Sequence, residues 1–455
     1  MRSWLLAAAL LLVPATAQAQ AGARGFAELR FSGQVGVDGP FWTLVERVRP
    51  TLEAELGGRI RLVATIEGNL TQGRRTQLVF QDLIDDSDLA PLLEQFGCAW
   101  PDPPANETLW IDDIRDVLAV DRLYVDFYLP FMDIRVGRQT VQWGSALFTN
   151  PTDPFPEVLL AEPWRPRQGV NAVRVNIPLG QDADVNAVVA TSDRFDAIRA
   201  AGKLRFNAEG TDFSMVGSYR SDGGPDGTGD GLIGLDLRGT FGVGWWVEAA
   251  MHIDTGIYEE IAVGVDYSFP VLQNLMIAAQ YYRNGNGEPD PDKPTSSGGL
   301  TSGAAIEPPH CDLPEDTPVP SGDAAEDDSF SAFLGGSDSG AVDRFAPALG
   351  RQDYLLLSAN LGIVQEVSVS VAAMQNLNDG TGFFLPTVSV RPLDWLDVSA
   401  SAQIPYKLWG DGGEFKPDPD DLLIEADLGI FGTRSADLSG LLPDATITIW
   451  TRASF

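Results

Sequence analysis

The chain has 455 residues, 44% hydrophobic and 21% charged, with 31 Lys and Arg against 64 Asp and Glu and a formal net charge of −33. With no basic stripe to neutralise phosphates, this balance excludes a nucleic-acid partner. Two histidines, His252 and His310, no serine in a Gly-x-Ser-x-Gly setting and no glycine-rich phosphate loop before a helix argue against an enzyme, and no metal centre or resident cofactor is expected.

In chain order, the first element is an export signal. Arg2 precedes an apolar run from Trp4 to Val13, then Pro14 and the small-residue stretch Ala17-Gln18-Ala19, which predicts a signal peptide over 1–19. The apolar run is too short to span a bilayer as a helix, and no later segment reaches roughly 18 consecutive apolar residues. Residues 20–455 contain no linker between two regimes of composition and read as one unit.

From Gly25 onward the dominant pattern is period two, in segments bounded by Gly, Pro, Asn or Asp. Leu123, Val125, Phe127 and Leu129 alternate with Arg122, Tyr124, Asp126 and Tyr128; Leu396, Val398, Ala400 and Ala402 alternate with Asp397, Ser399, Ser401 and Gln403. A soluble sandwich also alternates. Segment lengths matching a tilted membrane strand, connections that alternate short and long, and aromatics near strand ends favour an all-β fold: a single transmembrane antiparallel up-and-down β-barrel in the outer membrane. Short connections such as Gly57-Gly58, Gly180-Gln181-Asp182 and Pro270-Val271-Leu272 are assigned to the periplasm. Long ones at about 71–116, 144–168, 285–349 and 406–420 are assigned to the cell exterior. The count is about 18 strands, with 16 as the alternative, because single-chain bacterial barrels have even numbers. Leu422–Leu428 is then loop structure or an extension of a neighbouring strand.

About 20 of the surplus negative charges lie in 81–116 and 286–347, so the acid belongs to the loops. Cys98 and Cys311 sit one in each of these segments, and in an oxidising compartment either a loop-joining disulfide or two separate thiols is open. Residues 77–97 have helical spacing (Leu78, Phe80, Leu83, Ile84, Leu92, Leu93, Phe96) and read as a short amphipathic helix, either a lumen plug or a cap on the rim. Residues 286–347 lack the apolar groups to offset ordering entropy and read as a largely disordered loop. The acidic runs 226–231 and 418–421 offer hard oxygen ligands for Ca²⁺ but without EF-hand spacing, and turn formation is the competing explanation.

The polar face of the N-terminal half is rich in arginine. Arg30, Arg47, Arg49, Arg59, Arg61, Arg122, Arg135, Arg174, Arg199, Lys203, Arg205 and Arg238 fall on lumen positions among Glu28, Glu53, Glu55, Glu67 and Asp126. Opposed charge rows across a pore set ion selectivity, and cross-strand Arg–carboxylate pairs also simply fill a polar interior. The C-terminal half offers mainly Arg391 and Arg452, with Ser358, Asn360, Thr387, Ser389 and Ser401, which predicts a neutral polar wall facing a charged one.

Residues 135–144 read Arg-Val-Gly-Arg-Gln-Thr-Val-Gln-Trp-Gly and lead to Asn150-Pro151-Thr152-Asp153. Over about 135–178 this resembles a widespread bacterial outer-membrane family of unknown function with Gly-Arg-Gln, Trp-Gly and Asn-Pro-x-Asp. The resemblance implies a porin-like barrel and carries no substrate or catalytic residues. Strict alternation would turn Arg138 toward lipid, so either Gly137 forms a bulge that turns it inward or the strand has reached the rim. Arg138, Gln139, Trp143 and Asp153 are candidates to fold the following loop into the pore mouth as a constriction, or to anchor it with no role in transport.

The last strand, Ala445 to Phe455, alternates and ends in Phe, like the C-terminal assembly signal of outer-membrane proteins. The expected partners are outer-membrane lipid and lipopolysaccharide, the barrel assembly machinery through that strand, and small-molecule solutes; no oligomer interface is legible. The functional expectation is a porin-like channel for passive or weakly selective passage of small solutes. The alternatives are a plugged structural or adhesive surface barrel and, behind it, a channel for hydrophobic compounds or an outer-membrane hydrolase using His252 beside Glu248 and Asp254.

Overall fold

A computed structural model describes residues 20–36, 42–73, 109–110, 118–155, 167–192, 197–221, 229–253, 256–291, 293, 349–410, 413–416, 423–427, 433–437 and 443–455. The signal segment, residues 77–97, Cys98, Cys311, Asp254, His310 and most of the two acidic loops and of both calcium candidates lie outside these residues.

The strands are β1 (Gln20–Val35), β2 (Trp42–Leu56), β3 (Ile60–Gly73), β4 (Leu109–Trp110), β5 (Leu118–Tyr128), β6 (Asp133–Gln139), β7 (Val170–Pro178), β8 (Ala183–Thr191), β9 (Ile198–Ala208), β10 (Thr211–Ser221) and β11 (Asp230–Phe241). They continue as β12 (Val243–Ile253), β13 (Ile257–Phe269), β14 (Asn274–Asn284), β15 (Asp353–Val364), β16 (Val367–Asn376), β17 (Thr381–Leu393), β18 (Leu396–Lys407), β19 (Leu423–Asp427), β20 (Thr433–Asp437) and β21 (Ala445–Ser454). Apart from β4, β19 and β20, each pairs antiparallel with the next in sequence, and β21 closes onto β1 with Phe26 opposite Ser454. Among the described residues the result is an 18-stranded closed barrel. β4 adds two residues beside β3, and the ambiguous segment near Leu423 pairs with β20 in a separate two-stranded sheet.

Alternation decides which residues point where. On β5, Leu123 and Phe127 are exposed on the outer surface while Tyr124 and Asp126 are buried on the inner one. Phe31, Met215, Ile233, Leu235, Val265, Ile447 and Ile449 continue this apolar exterior, which suits hydrocarbon. Phe131, Phe241 and Trp395 stand exposed at the short-turn end, where aromatic rings favour the membrane interface.

Tight turns hold one end of the barrel. Between β9 and β10, Glu209 and Gly210 both have positive φ (51° and 80°), the backbone twist that a two-residue hairpin between right-twisted strands requires. The longer connections gather at the other end, with the short β16–β17 link among them. At the seam, Gly25 and Phe455 exchange backbone hydrogen bonds of 2.9 Å each way, and a Cβ on Gly25 would come within 2.9 Å of the Phe455 ring.

Candidate functional site

The inner wall of β1–β3, β5 and β21 is a lattice of opposed charges. Glu28 on β1 accepts from Arg452 on β21 at 2.6 and 3.1 Å and lies 3.5 Å from Arg47 on β2. Arg47 and Arg49 each approach Glu67 at 3.3 Å, and Arg61 donates to Glu53 at 2.8 Å. A register shift between β3 and β5 leaves Asp121 as an extra residue, so that Asp121 and its neighbour Arg122 both reach the lumen. There Asp121 pairs with Arg49 and lies 3.3 Å from Arg122. Asp121 was missed because strict alternation assigns it to lipid.

Beyond this lattice, Arg135 forks onto Asp126 at 2.6 and 3.1 Å and covers the Tyr124 ring at 4.1 Å. Arg199 pairs with Asp230 at 3.2 Å, Lys203 with Asp236 at 3.7 Å and Arg205 with Asp184 at 2.7 Å. Arg174 shares the inner face, directly opposite Arg135. Arg238 is exposed to the lumen, and Glu55 lies exposed near its short-turn end. Arg59 lies exposed in the turn after Gly57-Gly58, where its carbonyl accepts the Tyr128 N–H at 2.9 Å.

The chain after β6 folds inward. Its local fold is organised by Asp153, fully buried, which accepts the N–H of Trp143 at 3.0 Å and of Phe155 at 3.1 Å and pairs with Arg167. Asn-Pro-x-Asp makes the turn itself, the Asp153 N–H donating to the Asn150 carbonyl at 3.0 Å. Burial pushes the Asp153 carboxyl above the usual range, opposed by the Arg167 guanidinium and the two backbone N–H groups.

The far barrel wall then grips this loop. Glu248 on β12 accepts the backbone N–H groups of Ser145 and Ala146 at 2.5 Å each, the Thr152 hydroxyl at 2.8 Å and the Thr152 N–H at 3.3 Å. Ser145 donates its hydroxyl to Asp236. Gln280 on β14 accepts from Leu147 N–H at 3.0 Å and donates to Thr149, while the Trp246 indole N–H donates to Gln280 at 3.1 Å. Trp143 and Phe155 meet edge to face at 5.5 Å over small lumen residues, among them Ala172, Ala190, Ala201 and Ala250.

Gly137 makes the entry to this loop possible. Its φ is +123°, and a Cβ would fall 2.1 Å from the Leu123 carbonyl oxygen. The ladders to β5 and β7 run through it without a shift, so Arg138 stays on the outer face with Val136, at the rim. The expectation of a bulge turning Arg138 inward is therefore corrected in favour of the rim. Gln139, inward and fully buried, donates to the Ala172 carbonyl at 3.0 Å.

The C-terminal wall differs from its expected neutral polar character. Ser399, Ser401 and Thr387 face the lumen, but toward the end with the longer connections Tyr282, Tyr354, Leu356, Met374, Phe383 and Leu385 form an apolar cluster with Phe415 of the loop after β18. Ala146 and Phe148 of the inward loop pack against it. Glu414, next to Phe415, accepts from Tyr354 and Gly350 at 2.5 Å each and from Asn376 at 2.9 Å, while its N–H donates to Asp379. His252 lies 3.5 Å from Glu260 and stacks on Tyr258 at 4.8 Å.

No protein-family model matches the chain, and no curated protein matches it in sequence. Among solved structures it is similar to OccK11 (OpdR) of Pseudomonas aeruginosa, at 9% identity over 96% of each chain and a TM-score of 0.50. It is also similar to OccK5 (OpdH) of that organism, at 10% identity over 96% of this chain and 98% of that one with a TM-score of 0.47. A further similar structure is Acinetobacter baumannii OccAB1, at 8% identity over 96% of each chain and a TM-score of 0.48. The OccK11 likeness bears on the fold alone, and it agrees with the closed antiparallel ladder of 18 strands.

Proposed function

We propose that the chain is an outer-membrane porin-like channel for passive or weakly selective passage of small solutes. The carrying observation is the loop 140–155, held inside the barrel by Glu248, Asp236 and Gln280 and set against a wall of paired arginines and carboxylates. A loop tethered within a polar lumen narrows it, and fixed charges beside the narrowing bias which solutes pass. Export through the signal segment, delivery by the assembly machinery that reads the Phe455 strand, and contact with lipopolysaccharide at the outer leaflet belong to the same reading. No catalytic role is proposed for His252, which is occupied by Glu260 and Tyr258.

The apolar cluster around Tyr354 and Phe415 favours a second reading, a barrel plugged for a structural role, because it fills one side of the lumen. Single-channel recording of refolded protein in planar bilayers separates the two. Discrete conductance steps are the expected result; a folded barrel that inserts and stays electrically silent would replace the channel by the plugged barrel.

A further inference from the structure

Two connections from distant parts of the chain meet on one wall of the lumen. On β14 and β15, Gln280 stands directly opposite Leu356 and Tyr282 directly opposite Tyr354, all four buried on the inner face. Gln280 is one grip on the loop 140–155, taking the Leu147 N–H at 3.0 Å, while the other three belong to the apolar cluster. Polar grip and apolar floor are therefore neighbours in one ladder. Phe148, the residue after Leu147, packs against that cluster.

The other connection is the chain after β18. From it the Phe415 ring reaches the cluster, 5.3 Å from Phe383 and 6.2 Å from Tyr354, edge-on to both. Apolar attraction alone does not place it there. The Phe415 N–H donates to the Thr381 hydroxyl at 3.2 Å, and the Glu414 N–H donates to Asp379 at 2.9 Å. Glu414 itself accepts from the Tyr354 hydroxyl and from the Gly350 N–H, at 2.5 Å each. Tyr354 is a cluster residue and Leu349, beside Gly350, is another, so Glu414 positions Phe415 and part of the cluster together.

A close-packed cluster filled from two sides has no slack, and withdrawing either ring leaves the other facing a void or water, which weakens its hold. Such a coupling is carried by packed side chains and is reciprocal, because each segment's hold includes the presence of the other. We infer that the loop 140–155 and residues 413–416 are interlocked through this cluster, so that they leave the lumen together, with Glu414 as the positioning residue of the lock. The inference deepens the channel reading and rests on it only for its effect on current; the interlock itself can be read without current.

Hydrogen exchange followed by mass spectrometry, on refolded protein in detergent, reads the docked N–H groups of Ser145, Ala146 and Leu147 and those of Glu414 and Phe415. Phe415→Ala is expected to speed exchange over 145–147 about tenfold, and Phe148→Ala to speed exchange over 414–415 by the same factor. In the double variant, 145–147 should exchange no faster than in Phe148→Ala alone, because the link is already cut. Glu414→Gln keeps the shape and loses the charge; it should speed 145–147 by a smaller factor, and it carries the test if Phe415→Ala does not refold.

Unchanged exchange over 145–147 in the Phe415 or Glu414 variant, or effects that add in the double variant, overturns the interlock. So does equal speeding over β2, which contributes nothing to the cluster, since that would be general loosening. A silent bilayer with coupled exchange removes the channel and keeps the interlock; conductance steps with uncoupled exchange do the reverse.

Discussion

Glu28 on the first strand and Arg452 on the last lie in register across the barrel seam, joined by hydrogen bonds of 2.6 and 3.1 Å. The Glu28 side chain is fully buried, with Arg47 of β2 on its other side at 3.5 Å, so one carboxylate ties three neighbouring strands. Closure thus rests on a charge cluster as well as on the backbone ladder.

Glu28→Gln keeps the shape and removes the charge, leaving two guanidiniums facing each other across β1. A fully buried pair broken this way costs about 3–5 kcal/mol; with Arg452 a third exposed, about 2 kcal/mol is expected. Urea unfolding of the refolded barrel should show it as a lower midpoint with an unchanged slope, and an unmoved midpoint would mean that the ladder alone closes the seam.

Glu248→Ala should free the inward loop. The substitution strips the acceptor from three backbone N–H groups and the Thr152 hydroxyl, a loss of about 3 kcal/mol or more in the loop's hold. The strands of β12 keep their ladder, so the barrel should fold while open-channel current rises and protease cleaves within 140–155. Asp153→Ala, which undoes the loop's internal fold without touching its attachment to β12, should give the protease sensitivity with a smaller gain in current. Current unchanged in both variants would mean that this loop does not narrow the path.

Replacing Arg49, Arg61 and Arg122 together by Gln leaves Asp121 without its two partners and leaves Glu67 and Glu53 with one each, Arg47 and Arg24. Reversal potential under a salt gradient should shift toward cation preference, and more at low ionic strength than at high, since salt screens lumen charges within about 10 Å at 0.1 M. An unshifted potential would detach the wall from selectivity.

The barrel was legible because its physics is local. Each strand must show an oily side to lipid and a polar side to the lumen, so Leu123, Tyr124, Val125 and Asp126 declare their faces by order alone. The even-count rule turned an ambiguous segment into loop structure, where β19 and β20 are found. Arginines were readable as lumen residues for the same reason.

Two kinds of information depended on distance in space. Asp121 reaches the lumen only because β5 carries one residue more than β3 at that point, and a bulge is a property of two paired strands. The apolar cluster of Tyr354, Leu356, Phe383 and Phe415 contradicts a polar lumen until the inward loop is in place, because those side chains are buried by Ala146 and Phe148 from a loop some two hundred residues earlier. Gln139, Trp143 and Asp153 stood out as a motif, but their destination depended on Glu248 and Gln280, ordinary strand residues with no local mark of the loop that they hold.

The sequence by itself determined that this chain is an alternating, loop-acidic barrel with an arginine-lined face, because side-chain period and solvent preference are written residue by residue. Only the tertiary structure decided where the inward loop sits, which carboxylate answers which arginine, and that Arg174 stands directly opposite Arg135 with no ion pair among the described residues. Those facts require closing the sheet, which brings β12 and β14 to a loop that leaves from β6 and sets β1 beside β21.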